Sequence, residues 1–395
     1  MSGTQRPAQV VTTEGLLKDI GTGTAAELIM AVRYNTSPPG PTFIPPLDEL
    51  ILEGRPHPGG SSLQRGDLVE LVGGSGSGKT SFLIFQLLTT LLPASLAPTP
   101  PSLLPIPIGG RSQHATLIQP YTHRSLIPSL RRSMRSHILS VHPTAGRSTI
   151  DDIIKESLGR FRVYRIKPRW KEVALCLRHI LDGLSAMATG TGGGEREGGV
   201  DLLVIDGLGD AYYPTRWTDE ERGKRTGSGG GGGTGKVVGA DEVGMREVMQ
   251  GIGRVRKDLG SVVMISVQGL RTSRETQPFF LSHLPSPYPQ PFSPQHDDNT
   301  NHALVRSSPT HWPLNIQITL TGPVRTLQYP GETTLVDALR EKVKSEQQEQ
   351  EGSRGRRYEG LVRMEGVNGG LVGTRGGGKF GFRISDEGVQ VWGEA

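Results

Sequence analysis

The stretch that decides the fold is Leu68-Val69-Glu70-Leu71-Val72-Gly73-Gly74-Ser75-Gly76-Ser77-Gly78-Lys79-Thr80-Ser81-Phe82. An apolar run of strand length leads into four glycines spaced by serine, then a lysine and two hydroxyl residues, then the apolar run Phe82-Leu83-Ile84-Phe85. Residues 73–80 match G-x-x-x-x-G-K-[ST] at every fixed position. Glycines let such a loop turn its N–H groups inward around phosphate oxygens, Lys79 places a point charge toward the β- and γ-phosphates, and Thr80 can set its hydroxyl on Mg²⁺. The order strand, loop, helix is the context this chemistry requires, so Gly73, Gly74, Ser75, Gly76, Ser77, Gly78, Lys79, Thr80 and Ser81 are the expected nucleotide contacts, with ATP and Mg²⁺ as ligands.

Further apolar runs recur on either side, at 115–118, 162–166, 202–205, 262–267 and 314–320. Most are unbroken Val/Ile/Leu stretches, as in strands buried on both faces of a parallel sheet. Helix-length patterns lie between them at 80–92, 125–139, 171–187 and 241–259. Alternation of the two predicts an α/β fold with a mainly parallel central sheet and helices on both faces. Leu202-Leu203-Val204-Ile205 ends on Asp206, an acid at a strand tip able to hold Mg²⁺ through water, so Thr80 and Asp206 are the expected metal residues. Gln268 ends the run 262–267, where its amide can sense a γ-phosphate.

With these elements in order, the chain resembles the RecA-like recombinases, and among them the eukaryotic recombinase paralogues of homologous recombination. The likeness is carried by Arg65-Gly66-Asp67-Leu68-Val69-Glu70, Ile153-Ile154-Lys155, Leu158-Gly159-Arg160-Phe161 with Val163-Tyr164, residues 202–208 with Ala211-Tyr212-Tyr213, and the closing Phe382-Arg383-Ile384-Ser385-Asp386-Glu387-Gly388-Val389. It spans 65–393 with interruptions. The resemblance implies a RecA-like P-loop ATPase core over 46–393, preceded by an N-terminal segment 1–45 with one short helix at 14–20. It implies an ATP-binding subunit in the nucleus that serves double-strand break repair, with other recombinase paralogues as hetero-oligomeric partners and single-stranded or branched DNA as a ligand of the complex.

Two departures from the family pattern bear on mechanism. The resemblance implies a catalytic glutamate after the second core strand, but Ile118-Gln119-Pro120-Tyr121-Thr122-His123 holds no acid, and none follows before Asp151. Gln119 and Gln268 are the candidates left, since a glutamine can orient a water without being a base. Weak or absent hydrolysis follows; an active DNA-dependent ATPase that remodels recombinase filaments would need an activating group from Gln119 or a partner. The second departure is that none of the nine phenylalanines has alanine three positions later, so self-assembly through the family's Phe-x-x-Ala docking motif is not expected. An unrelated P-loop kinase or GTPase is the remaining alternative, and the guanine-recognition pattern Asn-Lys-x-Asp does not occur.

Composition sets the limits around this core. Of 395 residues, 55 are glycine and 29 proline, and only 34% are hydrophobic, too little apolar surface to order the whole chain. The excess gathers at 93–114, 188–199, 217–240, 272–312 and 333–356, which read as low-complexity insertions between core elements. In relatives the loops after the fourth and fifth core strands line the DNA channel. Here Arg216, Lys224, Arg225, Arg271 and Arg274, with the aromatics Phe279, Phe280, Tyr288 and Phe292, are the expected phosphate and base contacts.

Residues 121–180 hold thirteen Lys/Arg against four acids within a chain of net charge +5, either a polyanion-facing surface or a solvated face. The single cysteine, Cys176, excludes an intrachain disulfide, a Cys-based zinc finger and an iron–sulfur cluster. Met1 to Thr13 lacks an apolar core, so no secretory leader is expected, and the apolar stretch 82–97 is too short and too interrupted for a membrane span.

Overall fold

The computed structural model describes residues 39–55, 60–96, 105–188, 199–214, 216–217, 244–269, 284–285, 287–289, 314–323, 356–364, 378–385 and 388–391, with isolated positions between 334 and 340. The fold is α/β. In chain order the elements are α1 (Pro45–Gly54), β1 (Leu68–Gly73), α2 (Lys79–Leu91), β2 (Ser95–Leu96), β3 (Ile106–Pro107), β4 (Ala115–Pro120), α3 (Ile127–Val141), α4 (Arg147–Gly159) and β5 (Phe161–Ile166). They continue with α5 (Trp170–Ala188), β6 (Leu202–Ile205), a 3₁₀ turn (Leu208–Ala211), α6 (Met245–Leu259), β7 (Val262–Gln268), β8 (Ile316–Pro323), β9 (Arg356–Met364), β10 (Gly378–Ser385) and β11 (Gly388–Val391).

Nine strands form one sheet in the order β11-β10-β9-β8-β1-β7-β6-β4-β5. The six from β8 to β5 run parallel, and β9, β10 and β11 add an antiparallel meander beyond β8. β1 lies between β7 and β8, yet the chain leaves it through α2 to reach β4, two strands beyond β7. The direction of winding therefore changes at the tip of β1, and such a switch opens a crevice beyond the carboxyl ends of parallel strands.

Two apolar layers sandwich the sheet. Ile44, Leu47 and Ile51 around α1, Phe82, Leu83, Leu87 and Leu91 of α2, Leu130, Met134 and Ile138 of α3, and Ile150 and Ile154 of α4 cover one face. Trp170, Val173 and Leu177 of α5 and Met245, Val248, Met249, Ile252 and Val255 of α6 cover the other. The buried positions of α6 recur every three or four residues, one stripe of a helix. Its ends are set locally: the Gly244 N–H donates to Glu247 Oε2 at 2.8 Å, and Gly260, at φ +62°, takes the left-handed conformation that stops the helix.

The expected strands and helices lie where the sequence places them, with ends moved by a few residues. Several boundaries differ. α4 has no counterpart among the expected helices, because its surface is polar and its buried residues are only Ile150, Ile154 and Ser157. Within 1–45, Thr42 and Ile44 are already core: Thr42 donates from both N and Oγ1 to Asp48 Oδ1 at 2.7 Å, and Ile44 is fully buried. The stretch 93–114 is not wholly an appendage. β2 and β3 pair across its neck, and Ile108 enters the core. Within 272–312, Leu284 and Tyr288 are buried. The proposed helix at 14–20 and the insertion 188–199, apart from its ends, lie outside the described residues.

The amino ends of the parallel strands are closed by ion pairs. Asp67 accepts from Arg55 through both oxygens and from the Gln64 N–H, and Arg65 pairs with Asp201 at 3.5 Å. Arg256 donates to Gly66 O at 2.6 Å and to Asn315 Oδ1 at 2.8 Å, and Asn315 Oδ1 in turn accepts from the Leu68 N–H. Arg65-Gly66-Asp67 thus serves as a structural knot at the end of the sheet remote from the glycine loop.

Candidate functional site

The glycine loop runs from the tip of β1 into the first turn of α2. Gly76 and Gly78 adopt φ of +74° and +89°, which side-chain-bearing residues rarely adopt. Gly73 is closely packed, since a Cβ there would meet Leu320 O and Ser77 Oγ at 2.5 Å. Beside Gly74, by contrast, there is open space. α2 starts without a capping side chain or an acid in its first turn, leaving its N–H groups and positive dipole end to an anion.

Lys79 folds back over this loop, donating from Nζ to the carbonyl oxygens of Gly73 and Gly74, each at 2.7 Å, and lying 3.5 Å from Gln268 Oε1. Burial pushes its pKa down, opposed by the attraction of Asp206 and Asp210. A half-desolvated ammonium resting on carbonyls is suited to exchange them for a phosphate anion. These features fit a polyphosphate at Gly73–Ser81.

A cleft of about 410 Å³ adjoins Thr80 and Ser81. Ile84, Phe85 and Leu88 of α2 line it together with Ser129, Arg132, Ser133 and Ser136 of α3, and Ile384, Ser385 and Val389 of the closing hairpin also border it. Ile384 also sits against the loop, where its Cδ1 would be 2.7 Å from a Cβ on Gly78. Phe382 is stacked on Tyr358 and meets Phe82 edge-on, fixing the hairpin to α2.

Across β7 from the loop strand β1, Asp206 follows the carboxyl end of β6. Its Oδ1 accepts from Ser266 Oγ at 2.7 Å, and its Oδ2 accepts from Gln119 Nε2 at 3.0 Å and faces His123 Nδ1 at 3.3 Å. The other ring nitrogen, Nε2, lies 2.6 Å from Asp210 Oδ2. Hydrogen bonding to Asp206 and then to Asp210 raises the His123 pKa to about 10. Burial pushes the Asp206 pKa up, but the donors His123, Ser266 and Gln119 outweigh it and hold the carboxyl below its usual range. Arg165, from edge strand β5, fixes the loop that carries the imidazole by donating Nη2 to Tyr121 O and His123 O at 2.8 and 2.6 Å.

Lys79, Gln268, Ser266, Asp206, Gln119, His123 and Asp210 therefore form one polar row across the carboxyl ends of β1, β7, β6 and β4. Gln119 cannot be a base, and its amide is committed to Asp206. His123, charged between two carboxylates, is not a base at neutral pH either. Asp206 spends three of its four lone-pair sites on protein donors, which leaves Oδ1 one acceptor position, room for the water-bridged contact to Mg²⁺ expected of it but not for direct chelation. Among the described residues no cluster of three or more His, Cys, Asp or Glu side chains suits a metal.

Sequence reasoning singled out Lys79, Asp206, Gln119 and Gln268 but missed Asp210, Ser266 and Arg165. Asp210 had a local signal, four residues beyond Asp206 on the turn that follows it. The other two converge only through the sheet. Of the expected DNA contacts, Arg216 is exposed beside the exposed Trp217, while Lys224, Arg225, Arg271 and Arg274, with Phe279, Phe280 and Phe292, lie outside the described residues. Tyr288 differs from that expectation: it is 4% exposed and donates its hydroxyl to Glu70 Oε1 at 2.7 Å, so it is a core residue and not a stacking platform. No helix among the described residues is long and apolar enough to cross a membrane.

No family model matches this chain, and no curated protein matches it.

Proposed function

We propose that the chain is an ATP-binding subunit of a recombinase-paralogue complex, acting in the nucleus in double-strand break repair by homologous recombination, with weak or absent hydrolysis of its own. The observation that carries the nucleotide reading is the loop Gly73–Thr80, with its left-handed glycines, its desolvated lysine and an uncapped helix N-terminus behind it. The recombination reading rests on the sequence likeness, which within the family is to the X-ray repair cross-complementing paralogue two. The mainly parallel sheet, with the loop strand and the Asp206 strand on either side of β7, is compatible with it. Low turnover follows from the tip of β4, where an amide and an imidazolium stand in place of a water-activating carboxylate.

Equilibrium binding of labelled ATP tests the first half. Wild type is expected to bind, and Lys79→Ala to bind at least about tenfold more weakly, as loss of a charge-assisted phosphate contact predicts. Turnover by the chain alone, and with paralogues recovered by pull-down from nuclear extract, is expected to be negligible. Robust turnover abolished by Lys79→Ala would establish the DNA-dependent ATPase instead, and a pull-down without recombination paralogues would remove the repair assignment.

A further inference from the structure

Thr80 and Ser81 belong both to the first turn of α2 behind the glycine loop and to the wall of the adjoining cleft. One ligand can therefore rest its phosphates on the loop and its other end in the cleft. At about 410 Å³ the cleft is in the size range of small-molecule sites. It follows α2 from Ser81 to Leu88, about 10 Å of helix, enough to run alongside a ribose and a base. Ile384 lies against Gly78 and also borders the cleft, so the closing hairpin joins the two.

The two helices line the cleft differently. α2 contributes Ile84, Phe85 and Leu88, apolar surface for the flat face of a ring, whereas α3 contributes the hydroxyls of Ser129, Ser133 and Ser136. Adenine and guanine present the same kind of face and differ along the edge, where adenine has a donor at N6 and guanine an acceptor at O6. Strong discrimination requires a fixed donor or acceptor that the wrong base leaves unpaired. Carboxylates and carboxamides supply such groups, and among the described residues none lines the cleft. A serine hydroxyl rotates to donate or to accept, so it satisfies either edge. Arg132, which is exposed, only donates, and N7 accepts in both bases. His137 is anchored through Nε2 on Ile108 O at 2.7 Å.

We propose that this cleft is the nucleoside subsite, and that it takes adenine and guanine nucleotides alike, holding the base by its face and not reading its edge. The proposal rests on the nucleotide-binding reading above and widens its ligand from ATP to purine nucleoside triphosphates.

Calorimetric titration of the full chain with ATP, with GTP and with inorganic tripolyphosphate, all in excess Mg²⁺, separates the loop from the cleft. Wild type is expected to bind ATP and GTP within about fivefold of each other, and tripolyphosphate more than about fivefold more weakly than either. Ser133→Trp, which fills the cleft, is expected to weaken ATP and GTP together by more than about fivefold and to leave tripolyphosphate unchanged. An ATP-to-GTP ratio beyond about fivefold in either direction overturns the proposal, as does tripolyphosphate binding within about fivefold of ATP. A folded Ser133→Trp that binds both nucleotides as wild type does also overturns it; should that variant fail to fold, the three wild-type affinities decide alone. Wild type that binds none of the three ligands overturns the nucleotide reading itself, and the proposal falls with it.

Discussion

The two ends of the parallel sheet both gather buried carboxylates and cations, and they use them differently. At the amino ends, Asp67 with Arg55, Asp201 with Arg65, and Arg256 with Gly66 O and Asn315 tie one element to another. At the carboxyl ends the polar groups do not close on themselves. Lys79 rests on loop carbonyls that a ligand can replace, Gln119 Oε1 is buried without a partner, and His123 remains more than a third exposed. Charge of similar density serves as a fastener at one end and as a receptor at the other. The difference teaches that burial and pairing do not identify a functional site; contacts that a ligand can replace do, as those of Lys79 on the loop carbonyls.

The largest expected effect tests the fastened end. Asp67→Ala strands Arg55 in a buried position, and breaking such a pair is expected to cost about 3–5 kcal/mol by urea denaturation, with ATP affinity unchanged in the folded protein. Equal loss of both stability and affinity would erase the contrast between the ends.

Next comes the middle of the sheet, where Glu70 Oε1 and Oε2 accept from Tyr288 and Gln317. Tyr288→Phe leaves that carboxyl short of a donor and is expected to cost about 1–3 kcal/mol. Glu70→Gln is milder at neutral pH and has a defined pH signature. Burial, opposed by the Tyr288 and Gln317 donors, raises the Glu70 pKa above its ordinary 4.5. Its contribution is therefore complete below pH 4.5 and is lost as pH rises through the folded value, so wild type should lose stability relative to Glu70→Gln as the pH climbs. Wild type that gains stability relative to Glu70→Gln as the pH rises would show instead that the fold favours the ionised acid.

The smallest effect belongs to the receptor end. His123 has a folded pKa of about 10 against an ordinary 6.5, so its contribution is complete below about pH 6.5 and lost toward pH 10. Solvent screening of a ring this exposed holds that contribution to about 1 kcal/mol or less. Thermal melts of wild type and His123→Gln should converge as the pH approaches 10. A large stability loss at neutral pH would make His123 a fastener like Arg55.

How much was legible in the chain follows the same division. β1, β6 and β7 are continuous apolar runs that burial on both faces demands, and the glycine loop announces its own backbone angles. β9 and β10 carry a subtler signal, alternation of Tyr358 and Gly360 with Arg357 and Glu359, lost from Leu361 onward where Val362 and Arg363 are both buried, and of Phe380 and Phe382 with Lys379 and Arg383. That alternation was obscured by the glycine and charge around it. Tyr288 sits among prolines that suggest exposure, and only the long-range meeting with Glu70 makes it core. Asp206 was readable as a strand-end acid; that Ser266, Gln119 and His123 all converge on it depends on the neighbouring strands β7 and β4, which no local pattern specifies.

The neck of the insertion after α2 carries one more consequence. Ser112 N donates to Leu92 O, Gln113 N to Thr90 O and Ile108 N to Ala94 O, while Leu96 faces Ile106 across the small hairpin. The chain leaves and returns at one point, so a flexible segment spliced between those ends adds only the slow, logarithmic cost of ring closure. Residues 97–104 are thus a natural port for engineering: a short turn, an affinity tag or a fluorescent reporter spliced there would leave the sheet, the loop and the cleft as they are.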